Sequence, residues 1–294
     1  MKMASIVIPV YGQWNLVKKN IDALIYFDRY FIHEIIVIND CSKEHNPYVF
    51  DKELVKLIDN EINLGYTGTV NNGLRNAQSE IIVLLDSDAF PVEPFLEKLI
   101  LQYASDPLLG CIGVSTVNDE GNNIGNYQYE PSVAGLIAGQ HLEAKLGFLR
   151  FWRIKNKLPY SCAVSFRKSC LDDLNYFDEL NFPVLDADHD LSMRIHRSRW
   201  KLLFADDIIV GHVGGNSYKV NYQRVKLFHK SRYTLLKKHG LIWYPSLTKI
   251  LIKIRIQLEL LILGLLVKSN PNSTKHLENI KGRKLIISDI KAYN

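Results

Sequence analysis

The run Ile81-Ile82-Val83-Leu84-Leu85, uniformly apolar and ending at Asp86-Ser87-Asp88, constrains the architecture more than any other stretch of this chain. An apolar run without alternation suits a strand covered on both faces, as in a parallel sheet. Other strand-like runs precede it: Ile6-Val7-Ile8-Pro9-Val10, Glu34-Ile35-Ile36-Val37-Ile38, and a short element near Leu57-Ile58-Asp59. Helical stretches separate them, from about Trp14 to Phe27 and from the loop Asn63-Leu64-Gly65-Tyr66 to about Ala77. Strand–helix alternation at this spacing means βαβ units and an α/β fold, with a mostly parallel central sheet flanked by helices.

Ligands of such sheets bind outside the carboxyl ends of the strands. Asp40 follows the second strand and Asp86 follows Leu85, so both are expected to project into one crevice. The stretch from about Asn118 to Pro159 is less regular and reads as loops and helices over that crevice. Regular structure resumes with a strand at Cys162–Phe166, a helix start at Lys168-Ser169, and a helix from the acidic stretch Asp186–Asp190 to about Arg199. A last strand, Leu202-Leu203-Phe204, leads to Ile208-Ile209-Val210-Gly211-His212. After about Tyr222 the composition shifts to Lys, Arg, Leu and Ile. The expected organisation is a catalytic domain over 1–222, divided into halves at 1–117 and 118–222, and a C-terminal helical extension over 223–294.

A net charge of +5 is mild, and dense Lys/Arg is nowhere interleaved with stacking aromatics across a domain, which argues against nucleic acid as a partner. Four scattered cysteines without a CxxC pair fit a reduced, cytoplasmic setting. Met1–Ser5 passes straight into a strand-like run, so no classical signal peptide is expected. No apolar run approaches the roughly 20 residues that cross a bilayer.

Several polar residues could carry chemistry. Asp86 and Asp88, one residue apart at a strand end, could share a hard cation such as Mg²⁺ or Mn²⁺, with substrate phosphates completing the shell. The same triplet, with Ser87 between them, also makes an ordinary solvated turn. Asp40 either accepts a hydrogen bond from a nucleobase or ribose, or caps the following helix with Ser42. Asp188 and Asp190 open a helix, where acidic residues are common; one of them could instead deprotonate a nucleophilic hydroxyl. His212 is a ligand for Mn²⁺ or a histidine satisfied by a backbone carbonyl. Asn63, Gly65 and Asn72 surround a helix start, where glycine lets a backbone approach a ligand and Asn can serve ribose or phosphate. A turn with a helix cap explains the same residues.

Taken in order, Ile6–Tyr11, Val37–Ser42, Asn63-Leu64-Gly65 with Asn72-Gly73-Leu74, Leu84–Asp88, Phe177-Asp178-Glu179, Asp188–Arg194 and Val210–Gly215 closely resemble the family 2 glycosyltransferases with a GT-A fold. The resemblance covers about residues 4 to 217. It implies that Pro9 and Tyr11 line the base pocket, that Asp40 binds the base, that Asp86 and Asp88 form the metal and diphosphate site with His212 as a further ligand, and that Asp188 is the base, with Asp190 its rival. The chain departs from the family at Ala187, where Glu or Asp is usual, at Cys41, where glycine is frequent, and at Asn39, where Asp is frequent.

The implied reaction is a metal-dependent single displacement with inversion, carrying a sugar from a nucleotide diphosphate-sugar to a hydroxyl of a glycan or lipid-linked glycan, as in bacterial surface-polysaccharide synthesis. A UDP-hexose is the first expectation for the donor, and dTDP-rhamnose or a catalytically degenerate nucleotide-sugar-binding module are the alternatives. The basic-aromatic segment Arg150–Lys157 either grips an acceptor phosphate or is a solvated loop. In the tail, Ile252–Leu260 alternates as a strand would, whereas the length of Tyr244–Val267 favours a helix. Family members with such tails imply peripheral contact with the cytoplasmic face of the membrane.

Overall fold

The computed structural model describes residues 3–139, 156–213, 222–270 and 273–293. They divide into two compact units, Met1–Tyr129 with Lys157–Gly214 and Glu130–Asn156 with Gly215–Asn294.

The first unit is built on an eight-stranded sheet. In chain order its strands are β1 (Ala4–Val10), β2 (Ile32–Asn39), β3 (Val55–Asp59), β4 (Ile81–Leu85), β5 (Ala89–Pro91), β6 (Leu109–Val117), β9 (Ala163–Arg167) and β10 (Lys201–His212); β7 (Tyr127–Tyr129) and β8 (Lys157–Pro159) make a separate antiparallel pair. The spatial order is β3-β2-β1-β4-β9-β6-β10-β5. β3, β2, β1 and β4 run parallel, as does β10 with β6. β9 is antiparallel to β4 and β6, and β5 to β10, so the expected mostly parallel sheet is mixed in its second half.

Period-2 geometry explains the apolar runs, because neighbouring residues serve opposite faces. Ile6, Ile8 and Val10 of β1 join one core cluster with Val17, Ile21 and Leu24 of helix α1 (Trp14–Asp28). On the other face, a Cβ at Gly73 of helix α2 (Gly65–Asn76) would lie 2.4 Å from Ile38 Cδ1 and 2.5 Å from Val7 Cγ1. The glycine thus serves close helix–sheet packing rather than approach to a ligand. Pro9 is tolerated in an interior strand because β4 pairs only with Ala4–Val7, leaving no ladder partner there for the missing N–H.

Helix α3 (Leu96–Ser105) and β6 are elements that sequence patterning did not single out. The two strand runs read at Leu202–Phe204 and Ile208–Val210 are one strand, β10, interrupted by a register shift between Ala205 and Ile209. Helices α5 (Lys168–Leu174) and α6 (Ala187–His196) complete this unit. Most of the basic segment Arg150–Lys157 lies outside the described residues.

The second unit is helical: α4 (Val133–Ala138), α7 (Tyr222–Lys238), α8 (Pro245–Ser269) and α9 (Thr274–Asp289). Its core gathers Leu136, Tyr233, Leu236, Ile252, Ile256 and Ile286. The alternating stretch Ile252–Leu260 is helix throughout. Ile252 and Ile256, four residues apart, share its buried face. No helix among the described residues is long and apolar enough to cross a membrane.

Candidate active site

The turn that follows β4 is pinned by its backbone. Asp86 N donates to Cys162 O (2.9 Å) and Ala89 N donates back to Asp86 O (2.9 Å). The fully buried Asn20 of α1 spans the turn, its amide donating to Asp86 O (3.1 Å) and Ala89 O (2.6 Å). Ser87 is half-buried within it. The antiparallel ladder between β10 and β5 sets His212 opposite Ala89, and Val213 N donates to Asp88 O (3.1 Å). These backbone bonds bring His212 Nε2 to 3.4 Å from Asp88 Oδ1. The Asp88 carboxylate holds the imidazole above its ordinary pKa, against the opposing effect of burial.

Asp86 is engaged differently. Its Oδ1 lies 2.8 Å from the Tyr66 hydroxyl, which is also 2.9 Å from Ser161 Oγ. With one proton to give, the phenol donates to the carboxylate. Burial pushes Asp86 up to about 6; Asp88 and Asp188 raise it further, while the Tyr66 bond and His212 oppose the rise.

Asp188 reaches the same place from the first turn of α6. Its Oδ2 accepts from Ser161 N (3.1 Å) and its Oδ1 from His189 N (2.9 Å), which fixes the plane of the carboxylate. Burial pushes the Cys162 thiol well up, followed by the negative charges of Asp86, Asp188 and Asp88. Ser161 links two of these acids directly, its Oγ bonded to the Tyr66 hydroxyl that holds Asp86 and its N to Asp188.

The rival acid is placed otherwise. Asp190 is fully buried, with Oδ2 accepting from Arg194 Nε at 2.8 Å, and Arg194 also donates to the carbonyls of Leu174 and Tyr176. Asp186, at φ +64°, sits just before the helix with its Oδ1 3.0 Å from His189 Nδ1, which Gln128 Nε2 approaches to 3.1 Å.

The expected base-binding residues lie around the ends of β1 and β2. Asp40 Oδ1 accepts from Leu64 N (2.7 Å) and Asn60 Nδ2 (3.0 Å), so this oxygen holds the loop that leads into α2; no helix follows Asp40 and Ser42 directly, and Ser42 Oγ accepts from Gly12 N (2.7 Å) instead. Asn63 Nδ2 donates to Asp40 O (3.1 Å), and its own Oδ1 accepts from Gly65 N (3.2 Å), with Gly65 at φ +72°. Asn72 donates to Asn60 Oδ1 (2.7 Å). Pro9 is buried in β1, whereas Tyr11 is 58% exposed.

Two departures from the family pattern gain a reason. Cys41 has φ +55°, a left-handed conformation that favours glycine. Asn39 donates to Asp59 Oδ1 (2.7 Å) and accepts from Ser42 N (3.0 Å); an Asp there would face Asp59 as a like charge. Sequence reasoning missed Tyr66, Ser161 and Asn20 as site residues. Tyr66 stood inside a quoted loop, but its partner Ser161 is 95 positions away, beyond any local spacing rule.

Among the described residues no three His, Cys, Asp or Glu side chains are gathered into a ready cage for a metal. Asp88 and His212 nevertheless pair a hard oxygen with an imidazole nitrogen, a donor set suited to Mn²⁺ and one that leaves most of the shell to phosphate oxygens and water. The site fits a divalent cation on these terms.

The O-antigen chain rhamnosyltransferase RfbN of Salmonella typhimurium is 23% identical over 233 residues, covering 75% of this chain and 69% of its own. A poly-beta-1,6-N-acetyl-D-glucosamine synthase of Staphylococcus epidermidis is 23% identical over 200 residues, 65% of this chain; the chain spans 45% of that relative's length. Among solved structures, the mannosyltransferase PcManGT from Pyrobaculum calidifontis, in complex with GDP-Man and Mn²⁺, matches with a TM-score of 0.58 at 14% identity, over 99% of this chain and 88% of that one. TarS of S. aureus matches with a TM-score of 0.56 at 13% identity, over 100% and 83%. These likenesses show the fold, the mixed sheet flanked by helices of the GT-A type. The family model described as Glycosyl transferase family 2 matches residues 5–174, more than half of the sequence, and the chain belongs to that family.

Proposed function

We propose that this chain is an inverting glycosyltransferase that moves a sugar from a nucleotide diphosphate-sugar to a hydroxyl of a glycan or lipid-linked glycan in polysaccharide synthesis. The observation that carries this reading is the run of hydrogen bonds from Asp86 through the Tyr66 hydroxyl and Ser161 to Asp188, itself held by two backbone N–H groups, with Asp88 two residues beyond Asp86 in the same turn. Asp188 takes the proton from the acceptor hydroxyl as its oxygen bonds to the anomeric carbon. The bond from that carbon to the diphosphate oxygen breaks on the opposite face, which inverts the configuration. A carboxylate fixed in plane at the first turn of a helix is suited to such proton transfer.

In this reading Asp88 and His212 would hold the metal at the diphosphate end, with Asp86 and Ser87 in the same turn, and Pro9, Tyr11, Asp40, Asn63, Gly65 and Asn72 are assigned to the nucleoside. At Asp88 and His212, a bound Mn²⁺ or Mg²⁺ would supply Lewis-acid neutralisation of the charge on the departing diphosphate. Positioning by the Asn20, Tyr66 and Ser161 hydrogen bonds supports the remaining rate gain. The first unit carries this chemistry; a lipid-linked acceptor would place the enzyme at the cytoplasmic face of the membrane.

UDP-hexose is the proposed donor. The second reading is dTDP-rhamnose, favoured by the similarity to RfbN over 69% of that protein. A thermal-shift panel of UDP, dTDP and GDP with Mn²⁺ or Mg²⁺, followed by metal-dependent hydrolysis of the matching sugar nucleotides, tests the proposal. A metal-dependent rise in melting temperature for one base, with hydrolysis of its sugar derivative, is the expected result. No shift with any nucleotide would count against it.

A further inference from the structure

Helix α8 turns one face into the core of the second unit, through Ile252 (1% exposed) and Ile256 (0%). Its other face is as apolar as a core stripe and is left open. Leu247, Ile250, Ile254, Leu258, Leu261 and Leu265, three or four residues apart, are between 48% and 68% exposed. At about 100° per residue these six fall within roughly 80° of the helix circumference, a single continuous stripe. Spanning 18 residue steps, the stripe runs about 27 Å. Trp243 (81% exposed) and Tyr244 (69%) stand at its N-terminal end. An open apolar stripe of this length marks an interaction surface.

Charge decides what covers it. Residues 222–294 hold 15 Lys and Arg against 3 Asp and Glu, a net +12, in a chain whose total is +5. A second copy docking through this stripe would bring +12 against +12. An anionic surface is complementary to it. The aromatic pair beside the stripe has the character of side chains that settle at headgroup level. Lys249, Lys253, Arg255 and Glu259 lie on the helix within the length of the stripe, so the helix is suited to lying along a bilayer and not to crossing it.

We infer that the exposed face of α8 seats in the interface of an anionic lipid bilayer, drawn there by the net positive charge of residues 222–294. This deepens the membrane placement of the proposed function but does not depend on the transfer reaction.

The test is co-flotation of the full-length protein with vesicles of phosphatidylcholine containing about 30 mol% phosphatidylglycerol, and with phosphatidylcholine alone, at about 0.15 M salt. The protein should float with the anionic vesicles, weakly or not at all with the neutral ones, and lose binding in high salt. Leu258→Glu with Leu261→Glu, both at exposed positions, should weaken binding by at least roughly tenfold while leaving the melting temperature unchanged. Gln257→Glu, beside the stripe, should bind nearly as the parent does. Equal binding by the double variant and the parent would overturn the inference. So would a parent that ignores vesicles and forms a dimer which the double variant dissolves. Donor-sugar hydrolysis without vesicles separates the two readings: its absence, with vesicle binding intact, counts against the transferase and not against the lipid surface.

Discussion

Residues 1–221 carry 21 basic and 28 acidic side chains, whereas residues 222–294 carry 15 and 3. The two regions use charge in opposite ways. In the sheet-based unit, acids are drawn together against their mutual repulsion because the backbone fixes them: Asp188 by Ser161 N and His189 N, the Asp86 turn by Asn20 and Cys162 O. In the helical unit, bases outnumber acids on the stretch that carries an open apolar stripe, and the half-buried imidazole of His229 is kept uncharged. Burial and then Arg255 push it down to about 4. Acids held close together point to chemistry in the first region, and an excess of basic charge beside an open apolar stripe points to a surface partner in the second.

The sharpest way to break this contrast is to remove a charge from each kind of site. Asp88→Asn should lower turnover about 10³-fold with metal present, while circular dichroism and the melting temperature stay near those of the parent. Asp190→Asn should act the other way round. It leaves Arg194 without its buried partner and should cost about 3 kcal/mol of stability in denaturant titration. Tyr66→Phe removes the hydroxyl between Asp86 and Ser161 and should reduce kcat about tenfold with little change in KM.

The smallest effect belongs to His229. The unfolded chain takes up a proton near 6.5, the native state only near 4, so native stability is lost as pH falls through that window. Arg255, Glu259, Arg283 and Arg232 are the charged neighbours that bear on it. Melting temperature should therefore decline more steeply from pH 6.5 to 4.5 in the parent than in His229→Gln.

Much of the frame was legible because one rule governs it: apolar runs that end at polar residues are buried strands feeding a crevice. Ile81–Leu85 is β4 with the bounds read from sequence, and Trp14 begins α1 as expected. The mixed half of the sheet was not legible, since the direction of β9 depends on where a chain returns from, not on its composition. Within β10, exposed Asp206-Asp207 at the register shift imitated a loop between two strands. In α8, the alternation from Ile252 to Leu260 imitated a strand because the helix is apolar on both its buried and its open face.

The site divides along the same line. Spacing singled out Asp86, Asp88, Asp188 and His212, residues whose type and position announce them. It could not rank Asp188 against Asp190, two positions apart on one helix. Burial and the Arg194 ion pair distinguish them, and both are tertiary facts. Nor could it see that Asp40 has one oxygen committed to the backbone N–H of Leu64, 24 residues further on.

The central claim, that Asp188 is the base of a transfer site built on Asp86 and Asp88, is tested most directly by Asp188→Asn. Nucleotide binding with metal, read by thermal shift, and single-turnover sugar transfer would be measured on the same preparation. The account predicts binding close to that of the parent and transfer reduced about 10²- to 10⁴-fold. Transfer at the parental rate would contradict it.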